Sequence, residues 1–224
     1  MCGRYTVTAS AREIAETFGA QVDADLEVRP RYNLAPTQMA PVVLVKDDAR
    51  RLELRRWGLI PFWAKDPKIG NRMINARSET AATASAFRAA FRSRRCLVPA
   101  SGFYEWAPGK PKRPHYVHAR DGGLLAFAGL HETWRPEGAE PVATFTILTT
   151  DANGLMRRLH DRMPVILPRD AWAEWLVAET TADRLRSLLR PADEEVLTEH
   201  PVSTAVNSPR FDAPECVTAV AEIR

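Results

Sequence analysis

Residues 96–150 read CLVPASGFYEWAPGKPKRPHYVHARDGGLLAFAGLHETWRPEGAEPVATFTILTT. The runs CLVP, GFYEWA, HYVHA, LLAFAGL and VATFTILTT are short and rich in aromatic and β-branched residues. Turn formers separate them, notably PGKPKRP and ARDGG. Short runs of that composition between Gly/Pro breaks predict consecutive strands rather than helices. Upstream, PVVLVK and LELRRW flank a turn at Lys46–Arg50 and predict a hairpin. MPVIL after Arg162 reads as another strand, and HPVS and CVTAVAEI as closing strands. Ser10-Ala11-Arg12-Glu13 reads as a capping box, with Ile14, Ala15 and Phe18 as the apolar face of a short helix that Gly19 stops. Further helices are expected over 83–92 (Phe87 and Phe91 at i, i+4), 169–177 (Trp172 and Leu176) and 182–189, with a helical turn near 153–159. Residues 31–36 read as a loop, and 58–73 as a long surface loop carrying Pro61, Trp63 and Pro67. The expected fold is α+β: one domain over 1–224 with a twisted, mostly antiparallel sheet and flanking short helices.

The chain has 224 residues, 45% hydrophobic and 26% charged, enough to bury a core without staples. No apolar run approaches the ~18 residues that would span a bilayer. The start, MCGRYTVTAS, lacks the apolar core of a secretory signal, so the cytoplasm is the expected compartment and Cys2 is not a lipoprotein cysteine. Cys2, Cys96 and Cys216 lie far apart with no His/Cys ligand spacing, so neither a metal, a cofactor nor a disulfide framework is expected. Cys96 fits a buried strand, and Cys216 has no chemical neighbour in sequence. Net charge is +3, and all but five of the 31 basic side chains are arginine. Coding bias explains that skew, and so does phosphate contact, since guanidinium forks suit phosphate oxygens. Arg88, Arg92, Arg94 and Arg95 form a cluster that fits either a solvated helix face or a nucleic-acid contact.

Cys2 follows the initiator methionine directly, and a side chain this small permits Met1 removal. The product would carry an α-amine and a thiol on adjacent carbons, with ordinary pKa values of about 7.7–8.0 and about 8.5. Such a pair condenses with an aldehyde: the amine gives a Schiff base and the thiol closes a five-membered thiazolidine. Ring closure is intramolecular, a setting in which effective molarities of about 10⁵–10⁸ M are reached. An internal cysteine cannot do this, because its nitrogen is an amide.

Met1-Cys2-Gly3-Arg4-Tyr5, Arg31-Tyr32-Asn33-Leu34-Ala35-Pro36, Trp57-Gly58, Asn75-Ala76-Arg77-Ser78-Glu79-Thr80, Gly102-Phe103-Tyr104-Glu105-Trp106 and His160-Asp161-Arg162-Met163-Pro164 occur in that order, and His200-Pro201-Val202-Ser203 extends the series. Together they resemble the SRAP family, the SOS response-associated peptidases also called abasic site processing proteins. The resemblance implies a sensor and shield of abasic sites in single-stranded DNA, working through a thiazolidine crosslink. Peptidase-type removal of Met1 or weak lyase-type release would accompany it. It implies Cys2 as nucleophile, Asn75 as a hydrogen-bonding holder of the sugar or amine, Glu105 as proton handler, and His160 as the group that opens the deoxyribose. Arg4 and Arg77 match phosphate contacts, Pro36 and Trp106 an apolar wedge against bases, and Trp63 a stacking platform. Asn33 and Arg162, within the matched blocks, join the expected DNA-binding set. Where the family has a second tryptophan after Trp63, this chain has Ala64.

The chemistry of these residue types agrees. Histidine titrates near neutrality and suits opening a closed hemiacetal. A carboxyl among aromatics, as in GFYEW, can stay protonated and donate. Asn75 donates and accepts without changing charge. Taken singly, each also fits a structural role: Glu105 as an arginine's ion-pair partner, His160 as a cap, Asn75 in a turn, Trp63 and Trp106 in the core. Two other functions stay open, a cysteine hydrolase using Cys2 as an N-terminal nucleophile and a non-covalent reader of damaged DNA. The expected partner is single-stranded DNA with abasic sites, single-strand/double-strand junctions included, bound by a monomer away from any membrane.

Overall fold

The strand runs assemble into two sheets. The computed structural model describes residues 2–221, with strands β1 (Tyr5–Val7), β2 (Arg31–Leu34), β3 (Met39–Lys46), β4 (Ala49–Trp57), β5 (Asn75–Arg77), β6 (Arg95–Ala100), β7 (Gly102–Ala107), β8 (Arg113–Ala119), β9 (Leu125–Trp134), β10 (Val142–Asp151), β11 (Arg162–Pro164) and β12 (Leu197–Pro201). The α-helices are α1 (Ala11–Phe18), α2 (Ser78–Ala81), α3 (Arg88–Ser93), α4 (Gly154–Arg157), α5 (Trp172–Leu176) and α6 (Ala182–Leu188).

One sheet runs β12-β8-β7-β1-β2, antiparallel throughout. The other runs β11-β10-β4-β3-β6-β9, and β9 returns to pair with β10, so five of its strands close into a small barrel. The pairing is mostly antiparallel; the parallel contacts are β10 with β4 and β10 with β5. Closure removes the unpaired edges that an open sheet would leave. The β3–β4 hairpin forms as its sequence predicts, with Lys46 opposite Ala49 and Asp47 and Asp48 both at positive φ (51° and 60°). That is the backbone of a two-residue primed turn, which aspartate tolerates.

The α1 cap is the expected one. Ser10 accepts from Glu13 N, the Glu13 side chain accepts from Ser10 N, and Gly19 is left-handed at φ 61°. Such an N-cap is worth about 1 kcal/mol. Phe18 stacks on Trp172 with ring centroids 4.5 Å apart, tying this helix to α5. The main core collects Trp57, Phe103, Phe127, Phe145 and Trp175, all fully buried. A smaller cluster, Tyr104, Tyr116, Val206 and Cys216, packs on the other face of the five-stranded sheet. Cys96 is a buried strand residue, as expected.

Five local expectations fail. The 58–73 segment is not a surface loop throughout: residues 58–61 are buried and Pro67–Arg72 form a 3-10 helix capped by Asp66. Residues 31–34 form β2 rather than loop, because β1 offers an edge that their backbone fills. The 83–92 helix forms only as α3; Thr83 N and Ala84 N both turn back to Thr80 O, and the Ala/Thr/Ser composition has no apolar stripe to hold that turn helical. CVTAVAEI is a 3-10 turn at Pro214–Val217 plus one bridge, Val202 to Ala219, and its last two residues lie outside those described. Arg95 leaves the basic cluster: it is buried, and its guanidinium donates to the carbonyls of Phe91, Arg92, Trp175 and Val177. With four of its five donors on main-chain carbonyls, Arg95 is a core cross-tie, withdrawn from the surface where phosphate would bind.

Candidate active site

The register between β1 and β7 builds the first half of the site. Tyr5 lies opposite Phe103, and Tyr104 N donates to Arg4 O at 3.0 Å. Continuing that antiparallel register toward the N-terminus brings residues 2 and 3 alongside Glu105 and Trp106. Alternation along β7 puts Glu105 on the same face as Phe103, toward the core, and Tyr104 on the opposite face. Cys2 is fully buried (0% exposed), its Sγ 4.0 Å from Arg4 O. Burial pushes its thiol well above the ordinary range, and the nearby Glu105 carboxyl pushes it the same way. Glu105 is itself buried at 3% exposure, which raises its carboxyl pKa, while His160 pulls the other way.

Strand β10 builds the second half. It pairs parallel with β5, Ile147 opposite Asn75 and Thr149 opposite Arg77, and antiparallel with β11, Asp151 opposite Arg162. Asn75 Nδ2 donates to Cys2 O at 2.8 Å, which joins the two halves. Its Oδ1 is buried and has no hydrogen-bond partner among the described residues. A sealed acceptor of this kind costs about 1–3 kcal/mol if nothing meets it, so Asn75 holds acceptor capacity for a guest. After β10, α4 begins at the Asn153 cap, and His160 N donates to Met156 O at 2.8 Å, fixing the His160 backbone. His160 Nδ1 accepts from Arg162 N at 3.0 Å and lies 2.6 Å from Asp161 Oδ1. A ring with its proton on Nε2 can make the first contact, and a ring with a proton on Nδ1 the second, so both contacts act on the same ring nitrogen and fix the ring's orientation.

Glu105 and His160 share an open cleft of about 560 Å³ with Trp106, Lys112 and Asn207. Trp106 Nε1 donates to Asn207 Oδ1 at 2.7 Å, so the indole forms a fixed wall. Lys112 and Asn207 were not picked out from sequence. Lys112 sits in PGKPKRP, legible only as a turn, and Asn207 carries no distinguishing pattern.

The expected DNA-contact set divides. Arg77 is exposed and Pro36 half-buried. Trp63 is 47% exposed and its neighbour Phe62, which sequence reading passed over, 60%. Their loop is pinched at its base. Gly58 (φ 121°) and Gly70 approach so closely that a Cβ on Gly58 would meet Gly70 O at 2.4 Å. Leu59 N also bonds Met73 O at 3.1 Å, tying the loop to the segment entering β5. Arg4 is half-buried and donates to Asn33 Oδ1 (2.7 Å) and Val206 O (3.0 Å). Asn33 does not reach the surface: it is fully buried, and its Nδ2 donates to the carbonyls of Val206, Ser208 and Phe211. Its amide orients Arg4 and holds the 206–211 segment. The Arg162 side chain is 12% exposed and donates to Glu79, Asp151 and Thr149 O, so it braces β10 against α2. Among the described residues no group of three His, Cys, Asp or Glu side chains could hold a metal, and no helix is long and apolar enough to cross a membrane.

The family model "SOS response associated peptidase (SRAP)" matches residues 1–209. The chain is 43% identical over 221 residues to the abasic site processing protein YoqW of Bacillus subtilis (strain 168), covering 97% of this chain and 99% of that protein. It is 38% identical over 226 residues to the abasic site processing protein HMCES of Gallus gallus, covering 86% of this chain and 67% of that one. A crystal structure of a protein from Bacteroides thetaiotaomicron superposes with a TM-score of 0.88 at 27% identity, over 98% of this chain and 100% of that chain. With a match that runs from the first residue through β12 and the whole cleft, this chain belongs to the SRAP family.

Proposed function

We propose that this protein captures abasic sites in single-stranded DNA as a covalent thiazolidine through Cys2, once Met1 has been removed. The observation behind this reading is a chain of neighbours: Asn75 donates to Cys2 O, the buried Cys2 thiol lies near Glu105, and Glu105 lines one cleft with His160. Proteins named for abasic site processing share the whole chain length with it.

The steps follow from the groups. His160, through its free ring nitrogen, moves the proton that opens the closed sugar to its aldehyde. The α-amine adds to the carbonyl carbon to give a carbinolamine. Glu105, whose carboxyl pKa burial raises, donates a proton to the carbinolamine oxygen, which leaves as water, and the C=N bond forms. Cys2 Sγ then adds to that carbon while its proton passes to the nitrogen, so one water is the only by-product. The raised thiol pKa orders these steps: amine first, sulfur second, when the imine carbon is already within ring-closing reach. The same raised pKa disfavours the cysteine-hydrolase alternative, which needs a standing thiolate.

The test is a denaturing gel of protein incubated with a single strand carrying one abasic site. A heat-stable shifted band is expected. Salt-sensitive binding with no such band would instead favour the non-covalent reader, and peptide turnover without DNA the hydrolase.

Glu105→Gln should slow adduct formation by about 10²–10⁴-fold, the usual worth of a positioned proton transfer. It should also remove the alkaline limb of the rate profile, where wild-type Glu105 loses its proton. Stability should move the other way. A carboxyl raised in the folded state ionises first in the unfolded chain, so wild-type stability falls as pH rises through the window between the two values. Thermal melts should therefore show Glu105→Gln at least as stable as wild type at pH 7, with the advantage gone below pH ~4. A melting point well below wild type at pH 7 would contradict this account of the carboxyl.

A further inference from the structure

With Arg95 withdrawn into the core, the rest of the arginine cluster lines a groove of about 500 Å³ between α3 and α6. Arg88, Arg92, Arg94 and Arg186 line it and no carboxylate does. Arg88 and Arg92 are exposed, at i and i+4 on one short helix with no acidic residue in its first turn. Like charges in that relation weaken a helix slightly, and neither has an ion-pair partner among the described residues. Arg94 donates to Glu132 through one nitrogen, but its Nε is buried and unsatisfied. Arg186 is paired with Asp183. Two unneutralised guanidiniums, Arg88 and Arg92, line one concave surface beside the paired Arg94 and Arg186.

The groove adjoins the expected DNA-contact residues at two points. Arg77, at the end of β5, is followed directly by α2, and Ala82 just past that helix is part of the groove wall. Trp63 Nε1 reaches Ser85 O at 3.4 Å, so the exposed Phe62-Trp63 loop rests on the turn that enters α3. Cations and exposed aromatic rings in sequence along a surface are what a single strand needs, phosphates on the first and bases on the second.

We propose that the groove between α3 and α6 is a second phosphate track, which engages the backbone of single-stranded DNA beyond the nucleotide held at the cleft. The proposal rests on the functional reading above for its DNA partner but not for its chemistry. An acidic protein segment would suit the cations, though not the aromatic loop that leads to them.

The test uses undamaged thymidine strands, which offer no aldehyde. One strand of roughly 30 nucleotides exceeds a single binding site, and one of about six covers the cleft alone. On single strands, each lost phosphate contact flattens the dependence of log K on log salt by about 0.7. Arg88→Gln/Arg92→Gln should therefore flatten the long-strand slope by about 1.4 and weaken binding roughly tenfold or more at 0.1 M salt. Short-strand affinity and melting temperature should stay at wild-type values. Unchanged long-strand slope and affinity would overturn the proposal, as would a variant that loses polyglutamate binding while keeping DNA binding. The expected slopes on undamaged DNA with no adduct on abasic DNA would overturn the crosslinking function alone.

Discussion

A chain extended ahead of Cys2 should form no heat-stable adduct with an abasic strand, and proteolytic removal of the extension should restore full yield. This is the largest effect expected, because the extension turns the reacting nitrogen into an amide, whose lone pair is delocalised into its carbonyl. No neighbouring group compensates. Asn75 Nδ2 is committed to Cys2 O, and Glu105 can help water leave only after a carbinolamine exists. The measurement pairs intact mass, which reports the N-terminus of each preparation, with the denaturing gel. An adduct of wild-type yield on a chain proven to retain residues before Cys2 would refute the chemistry. Borohydride adds a control: it reduces an imine to a stable amine, and should rescue nothing here because no imine forms at position 2.

Replacing Cys2 with serine separates the two halves of the reaction. The α-amine remains, so the imine should still form, and borohydride should trap it as a heat-stable band. Without borohydride that band should be nearly absent after heating, since a hydroxyl is a far weaker nucleophile toward an imine carbon than sulfur and its ring reopens readily. Ring closure is also where intramolecularity contributes most. Cys2 is fully buried, so a serine hydroxyl there must find an acceptor or cost about 1–3 kcal/mol. A melt of the variant therefore accompanies the gel, and Cys2→Ala gives a second route to the same comparison. Untrapped heat-stable yield equal to wild type in either variant would sink the thiazolidine.

The sequence carried the strands of the fold further than its helices. Aromatic and β-branched runs between Gly/Pro breaks mark strands whatever they pack against, so the β3–β4 hairpin and the β6–β10 run were legible as elements, although β4 and β8 begin inside the expected turns and β9 runs on to Trp134. The closed barrel was not, because β9 meeting β10 while β4 runs parallel to it is a long-range pairing with no local signature. The 83–92 helix misled because Phe87 and Phe91 have helical spacing, yet the preceding turn offers only small alanines to the core and its Thr83 and Ala84 amides both close on Thr80 O. At the site, residue types spoke for chemistry but not for exposure. Asn33 and Arg162 sit among matched motifs, yet both are spent on internal bonds. Lys112 reaches Glu105 only through folding, and the exposure of Phe62 has no signature in its apolar neighbourhood.

A sulfur closed off from solvent and kept in its neutral form is poorly matched to peroxide, metal ions or stray electrophiles, all of which react with the exposed anion. On the proposed chemistry, seclusion of this sort would give a single-use reagent a long shelf life in the resting protein, and leave the arrival of a damaged strand as the event that consumes it.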